Sequence, residues 1–105
     1  MDIKDLTKEM NKFVREKGWY EPDSPRPQTL RNLTISLNLE ASELLEHFQW
    51  TSEIDNPEEI SEELADIALY LLQISSIADI DLEKAILEKL HRNYYREWDE
   101  KGDEA

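Results

Sequence analysis

The sequence predicts an all-α fold: a four-helix bundle-like protomer in a single domain spanning residues 1–105, with 99–105 as a flexible tail. Only two glycines and four prolines interrupt the chain, and they fall where helices should end. Apolar residues recur every three or four positions in four successive segments, which is the helical period. An apolar content of 39% in 105 residues is enough for one modest core.

The first helix is predicted at the start of the chain, and a proline-rich loop follows it. Gly18 is well placed to end this helix, because glycine favours the backbone conformation that terminates helices. The segment 19–27 carries three prolines, which cannot continue a helix, and it predicts an ordered loop. The apolar residues of the first helix are Ile3, Leu6, Met10, Phe13 and Val14.

Three further helices are predicted after the loop. The second spans about 28–50 and the third about 57–78, with Asn56 as its cap and a proline at its first position. The fourth spans about 82–100, with Asp81 as its cap. The predicted apolar stripes are Leu30, Leu33, Leu37, Leu44 and Phe48 in the second helix, and Ile60, Leu64, Ile67, Leu71 and Ile74 in the third.

The third helix predicts self-association. Leu69 and Leu72 lie well round the helix from the face that Ile60, Ile67 and Ile74 share. An apolar arc this wide requires burial on more than one side. One chain of this length covers only one side, so we expect a dimer or a dimer of dimers, that is, a homodimer or homotetramer.

Charge limits the classes of partner. Twenty-five acidic residues against twelve basic ones give a formal net charge of −13. A surface this acidic disfavours binding to nucleic-acid polymers and to anionic membranes, and an anionic substrate needs a metal ion to bridge it.

The chain has no cysteine, which excludes disulfides and thiolate metal sites. It shows no block resembling a signal peptide and no apolar run long enough to cross a bilayer, so we expect a soluble cytoplasmic protein.

Two pairs of carboxylates predict a metal site. They are Glu40-Ala-Ser-Glu43 and Glu63-Leu-Ala-Asp66, in a stretch (32–83) with thirteen acidic residues and no Lys or Arg. Residues three apart share a helix face, so two facing helices would place four carboxylates around one point. Both pairs lie on the shoulder of an apolar face, where unpaired charges are costly. Oxygen ligands without His or Cys favour Mg²⁺ or Mn²⁺.

The alternative is that these pairs are solvated surface charges. Carboxylates three apart occur often by chance in a chain this acidic. Glu58, Glu59 and Glu62 are expected to be of that kind.

The fourth helix predicts a phosphate-binding stripe. Lys89, Asn93 and Arg96 continue the face on which the helix begins with apolar residues. Lys and Arg suit phosphate oxygens, as a point charge and a planar fork respectively. The alternative is that their stems cover apolar surface while their heads reach water.

Three aromatic residues are candidates for binding a base. Trp19 begins the proline loop, Trp50 ends the second predicted helix, and Tyr70 lies one turn after Asp66. Planar side chains near a phosphate pocket can stack on a nucleobase, although core packing is the commoner role.

The two acid pairs with nineteen residues between them resemble the signature of the MazG-like nucleoside triphosphate pyrophosphohydrolases, in the all-α NTP pyrophosphatase superfamily. The wider likeness is to the dCTP pyrophosphatase branch, and it extends over about 19–96. The matching residues outside the acid pairs are Trp19, Arg31-Asn32-Leu33, Leu44, Phe48-Gln49-Trp50, Tyr70, Lys89 and Asn93.

The resemblance implies a MazG-type protomer that cleaves a nucleoside triphosphate between the α and β phosphates, with Mg²⁺. It implies that Glu40, Glu43, Glu63 and Asp66 hold the metal. For such a reaction, we expect Glu40 or Glu43 to act as the base. The resemblance assigns phosphates to Lys89 and Asn93, and the nucleobase to Trp19, Trp50 and Tyr70. The implied substrate is dCTP or a related dNTP, in a housecleaning role or in control of the dNTP pool.

Two positions depart from the family pattern. Many members have a further Glu just before the first acid pair, where this chain has Leu39, so the number of metal ions stays open. The aromatic that often follows the Asn of the last helix by four positions is Glu97 here, with Trp98 beside it.

Two other classes of function remain as alternatives. A carboxylate-bridged di-iron bundle needs two Glu-x-x-His pairs, and the chain offers only Glu88-x-x-His91. A noncatalytic helical partner or antitoxin-like module would explain the acidity and the self-association without any chemistry.

Overall fold

The structure, a computed structural model, describes residues 1–96. Over this range it has four helices and no strand, which confirms the all-α prediction. The helices are α1 (Ile3–Glu16), α2 (Leu30–Glu46), α3 (Pro57–Ile77) and α4 (Leu82–Tyr95). The predicted flexible tail, 99–105, lies outside the described residues, as do Glu97 and Trp98.

Every helix begins at a side-chain cap. Each capping oxygen accepts a hydrogen bond from the backbone N–H three residues later, at 2.8–3.1 Å. These bonds satisfy donors that the first helical turn leaves without partners. The caps at Asn56 and Asp81 confirm the two predicted from sequence. The four caps are Asp2, Thr29, Asn56 and Asp81.

The predicted limits of α2 were wrong at both ends. Thr29 is an extended cap, so α2 begins at Leu30 instead of position 28. The helix ends at Glu46, four residues before Trp50, because the next amides bond three residues back instead of four. His47 N–H donates to the Leu44 carbonyl at 3.2 Å, and the next amide repeats this pattern. This tighter turn stops the α-helix.

The ends of α1 and α3 lie close to the prediction, whereas the end of α4 does not. α1 stops just before Gly18, whose φ of +73° lies in the left-handed region that glycine favours. α3 ends at Ile77, one residue before the predicted end. α4 ends at Tyr95 instead of near position 100, because the backbone of Arg96 is extended, with ψ of 136°.

Helix α3 is the centre of the fold. It packs against α2 and also against α1, while α4 packs against α1. The core lies between α1 and α3, where Met10, Val14 and Leu72 form a buried cluster. Trp19 and Tyr20 from the proline loop pack against this cluster. The loop is therefore ordered, as predicted, and it joins the α1–α3 core to the start of α2.

The buried face of α3 differs from the predicted apolar stripe. Leu64 and Leu71 are 53% and 43% exposed, although the stripe contains both. Leu72 and the polar residues Gln73 and Ser75 are buried instead. They are buried because α3 contacts two helices, so the covered surface is not centred on its most apolar face.

None of the four helices in residues 1–96 combines the length and the apolar character that crossing a bilayer requires.

Candidate metal centre

Helices α2 and α3 bring carboxylates from both predicted acid pairs together. One oxygen atom each from Glu40, Glu43 and Glu63 lies within 4.8 Å of the other two. The first two residues share a face of α2 because they are three positions apart, and α3 supplies the third. Three of the four predicted metal ligands therefore lie at one point. We call Glu40, Glu43 and Glu63 the carboxylate cluster.

Two oxygens of the carboxylate cluster are buried without a partner. Glu40 Oε2 and Glu63 Oε2 accept no hydrogen bond from the described residues. Both residues are half-buried, whereas Glu43 is exposed. Burying a carboxylate oxygen without compensation is costly, and a cation removes that cost. These orphaned oxygens fit a bound metal ion, and an oxygen-only donor set fits Mg²⁺ or Mn²⁺.

The raised pKa values of two carboxylates in the cluster also fit a site for a cation. Burial raises the pKa of Glu40 to about 7, helped by a hydrogen bond with Glu43 and by the charges of Glu43, Asp66 and Glu63. Burial likewise raises the pKa of Glu63, followed by the charge of Glu43 and a hydrogen bond with it. The charged groups acting on Glu40 are all carboxylates, which favours its neutral form.

Asp66, the fourth predicted ligand, lies beside the cluster. It is exposed, and its oxygens fall outside the group of three. Its charge nevertheless raises the pKa of both Glu40 and Glu63, so it is close enough to act on the site.

Sequence reasoning missed His47 at this site. Its positive charge lowers the pKa of Glu63, against the other influences on that residue. His47 is half-buried just after α2 ends, four residues beyond Glu43. That spacing puts the two on one side of a helix and was the available signal.

The predicted phosphate-binding residues lie around one groove. Lys89, Asn93 and Arg96 line an open concavity of about 580 Å³, together with His91, Arg92 and Tyr95. All of these residues belong to α4 or directly follow it. The groove lies on α4, which packs against α1, whereas the carboxylate cluster lies on α2 and α3. The two sites are therefore built on different helices of the protomer.

The three candidate base-binding aromatics have different surroundings. Trp19 is half-buried, with its ring centroid 5.6 Å from that of Phe13 and the Arg26 guanidinium 5.3 Å from its ring. Trp50 is 89% exposed. Tyr70 is half-buried on α3, one turn beyond Asp66 and on the same side of the helix.

Comparison with known proteins finds relatives named dCTP pyrophosphatase 1 that match most of the chain. The chain is 30% identical to dCTP pyrophosphatase 1 of Rattus norvegicus over 103 residues, and 31% identical to that of Bos taurus. Each match covers 90% of this chain but 58% of the relative, so the chain spans little more than half their length.

The fold has a solved counterpart. A crystal structure of a pyrophosphatase from Archaeoglobus fulgidus matches with a TM-score of 0.74 and 30% sequence identity, covering 90% of this chain and 93% of that one. The MazG-like family matches residues 35–104, a region that contains both acid pairs. This match extends over more than half of the chain, and the chain therefore belongs to the MazG-like family.

Proposed function

We propose that this protein is a Mg²⁺-dependent nucleoside triphosphate pyrophosphohydrolase, which converts a (deoxy)nucleoside triphosphate to the monophosphate and pyrophosphate. The carboxylate cluster carries this proposal, because its two orphaned buried oxygens need a cation. Relatives named dCTP pyrophosphatase support dCTP or a related dNTP as substrate, and a housecleaning or dNTP-pool role.

Glu40, Glu43, Glu63 and Asp66 would hold the metal, which is Mg²⁺ with Mn²⁺ as a substitute. When bound, Mg²⁺ supplies positive charge against the triphosphate and lowers the pKa of water. Glu40 or Glu43 accepts the proton of the water that attacks the α-phosphorus. The bond from the α-phosphorus to the α–β bridging oxygen then breaks, and pyrophosphate leaves.

The remaining predicted residues bind the rest of the substrate. Lys89, Asn93 and Arg96 contact phosphate oxygens from the groove on α4. Trp19, Trp50 and Tyr70 surround the base. Trp50 suits this role because its exposed ring offers a free face for stacking.

We also propose that the protein is a homodimer or homotetramer. Within residues 1–96 few apolar side chains are buried, whereas large apolar side chains of α2, α3 and α4 are exposed. A second copy that covers these faces would supply the missing burial. The exposed apolar residues on these helices include Ile35, Leu39, Leu64, Leu71, Ile86, Leu87 and Leu90.

The test is to incubate the protein with Mg²⁺ and a panel of ribo- and deoxynucleoside triphosphates, and to separate pyrophosphate from orthophosphate. We expect pyrophosphate, released fastest from dCTP or a related dNTP. Absence of turnover across the panel would instead support a noncatalytic helical partner.

Variants of the proposed ligands sharpen this test. We expect Glu43→Gln and Asp66→Asn each to reduce turnover by about 100-fold or more while leaving helicity by circular dichroism intact. Glu62→Gln is the matched control, because Glu62 is exposed and adjoins Glu63 without belonging to the cluster. Full activity in either ligand variant would contradict the assignment.

A further inference from the structure

A buried polar side chain joins α3 to the segment that leads into α2. Gln73, on α3, is only 5% exposed. Its Nε2 atom donates a hydrogen bond to Gln28 Oε1 at 2.6 Å, and its side chain also hydrogen-bonds Tyr20. Buried amides are costly when left without partners, so these bonds restrict how the two segments can sit together.

Gln28 lies at the end of the proline loop, two residues before α2 begins. Its Nε2 atom donates to the Arg26 carbonyl at 2.6 Å, and the next residue, Thr29, caps the helix. The Asn32 side chain, in the first turn of α2, donates to the Pro27 carbonyl at 3.1 Å, so the end of the loop and the first turn of α2 form one hydrogen-bonded unit. Gln73 attaches this unit to α3.

A second set of bonds holds the same end of α3 to α1. The Tyr20 hydroxyl donates to Asn11 Oδ1 at 2.6 Å, and Asn11 Nδ2 donates to Ser76 Oγ at 2.9 Å. Gln73 thus lies in a part of α3 that is fixed on both sides.

The Gln28–Gln73 contact and the carboxylate cluster share one helix register. Glu40 follows Gln28 by twelve residues, and Glu63 precedes Gln73 by ten, so the chain from Gln28 through α2 runs antiparallel to α3 and meets it at both places. A slip of one residue would move the α2 carboxylates about 1.5 Å along α3. Displacements of that size are enough to spoil a catalytic arrangement.

We propose that Gln73 is a positioning residue: its hydrogen bond to Gln28 sets the register of α2 on α3, and so the spacing of Glu40 and Glu43 from Glu63. This inference rests on the proposed metal site. In this role Gln73 acts through the segments that carry the carboxylates.

The test measures Mn²⁺ affinity by titration calorimetry on the full chain, counting only the binding that Glu43→Gln abolishes. Gln73→Met keeps the side-chain volume but removes the hydrogen bond, and we expect it to weaken Mn²⁺ binding by about threefold to tenfold. Ser75→Ala is the matched control. Ser75 is equally buried on α3, but its hydroxyl donates to the Leu72 carbonyl of its own helix, so we expect affinity within about twofold of wild type.

A double variant separates positioning from stability. Gln28→Met combined with Gln73→Met replaces both partners by apolar groups, which restores much of the Tm without restoring a directional contact. We expect its Mn²⁺ affinity to stay below wild type. Recovery of affinity together with Tm would overturn the inference, as would an equal loss in Ser75→Ala.

The remaining outcomes are also decisive. Unchanged Mn²⁺ affinity in Gln73→Met, with wild type binding normally, overturns the positioning role alone. Failure of wild type to bind Mn²⁺ overturns the proposed metal site and this inference with it. If Gln73→Met does not fold, Gln28→Met makes the same test from the less buried side of the contact.

Discussion

Glu40 combines two properties that a surface carboxylate lacks. One of its oxygens is buried without a hydrogen bond, and its charged neighbours are all carboxylates. Both properties disfavour the ionised form, which raises the pKa of Glu40 to about 7. In the metal-free protein, protonation of Glu40 lowers the cost of burying its charge. A bound divalent cation would lower the same cost by neutralising the carboxylates.

The pKa of Glu40 predicts how the stability of the metal-free protein depends on pH. The carboxyl titrates near 4.5 when unperturbed and near 7 in the fold, so the native state binds this proton more tightly. This tighter proton binding stabilises the native state. The stabilisation is complete below about pH 4.5 and is lost as pH rises through about 7. We expect the Tm of wild type, relative to Glu40→Gln, to fall across this range, and added Mg²⁺ to reverse the fall.

Thermal unfolding of both proteins in chelator, at matched concentration and stepped pH, checks this prediction. Glu40→Gln is the right reference because it keeps the rest of the acidic surface, so general charge repulsion cancels in the difference. A difference in Tm that does not vary with pH would contradict it.

Spacing predicted the carboxylate cluster but neither His47 nor Gln73. Glu40, Glu43 and Glu63 could be found because carboxylates three apart share a helix face. Gln73 could not, since it is a buried polar residue whose contact lies in the loop before α2, distant in sequence. A buried amide becomes recognisable only when its partner is known, and here that partner is 45 residues away.

At the scale of the elements, helix starts were more predictable than helix ends. A start is marked by a side chain that satisfies exposed amides, as Asn56 and Asp81 do. The end of α2 has no such mark. Apolar residues continue to Phe48 with helical spacing, yet the backbone bonds tighten after Glu46. Backbone hydrogen bonding decides this end, and the apolar pattern does not record it.

The cap of α2 predicts a local loss of stability. Thr29→Ala removes the hydrogen bond from Asn32 N–H to Thr29 Oγ1, at 3.1 Å, and should lower the free energy of unfolding by about 1 kcal/mol. Thr34→Ala is the matched control, because the Thr34 hydroxyl only donates to the Leu30 carbonyl within α2. We expect its effect to stay within about 0.5 kcal/mol.

Urea unfolding followed by circular dichroism, at one protein concentration, measures both variants of the cap experiment. An equal loss in Thr34→Ala would show that threonine replacement anywhere in α2, and not loss of the cap, lowers stability.

For the whole molecule, the balance of apolar surface indicates an assembly. The buried apolar residues within 1–96 lie mainly where α3 meets α1 and α2, while α4 presents Leu87 and Leu90 at 59% and 57% exposure. The sequence predicted the need for a second covered side from the wide apolar arc of α3. It could not identify which faces are covered, because that depends on how the helices pack within one protomer.

The predicted assembly can be measured directly. Sedimentation velocity at micromolar concentration should give a multiple of the 12.4 kDa chain mass, corresponding to a dimer or tetramer. Leu87→Glu should shift the mass towards 12.4 kDa, because a charge in an apolar contact is costly to bury.

Lys84→Glu is the control for this shift, since it makes a larger change of charge on α4 at an exposed position. The loss of its long ion pair with Glu88, at 3.9 Å, should matter little. A wild-type monomer at this concentration would contradict the proposed assembly.

In the proposed reaction, water attacks the α-phosphorus and pyrophosphate is released. Hydrolysis of dCTP in ¹⁸O-labelled water with Mg²⁺, followed by mass spectrometry of the products, tests it most directly. We expect dCMP that carries ¹⁸O and pyrophosphate that does not. Formation of dCDP and orthophosphate, or ¹⁸O in the pyrophosphate, would contradict it.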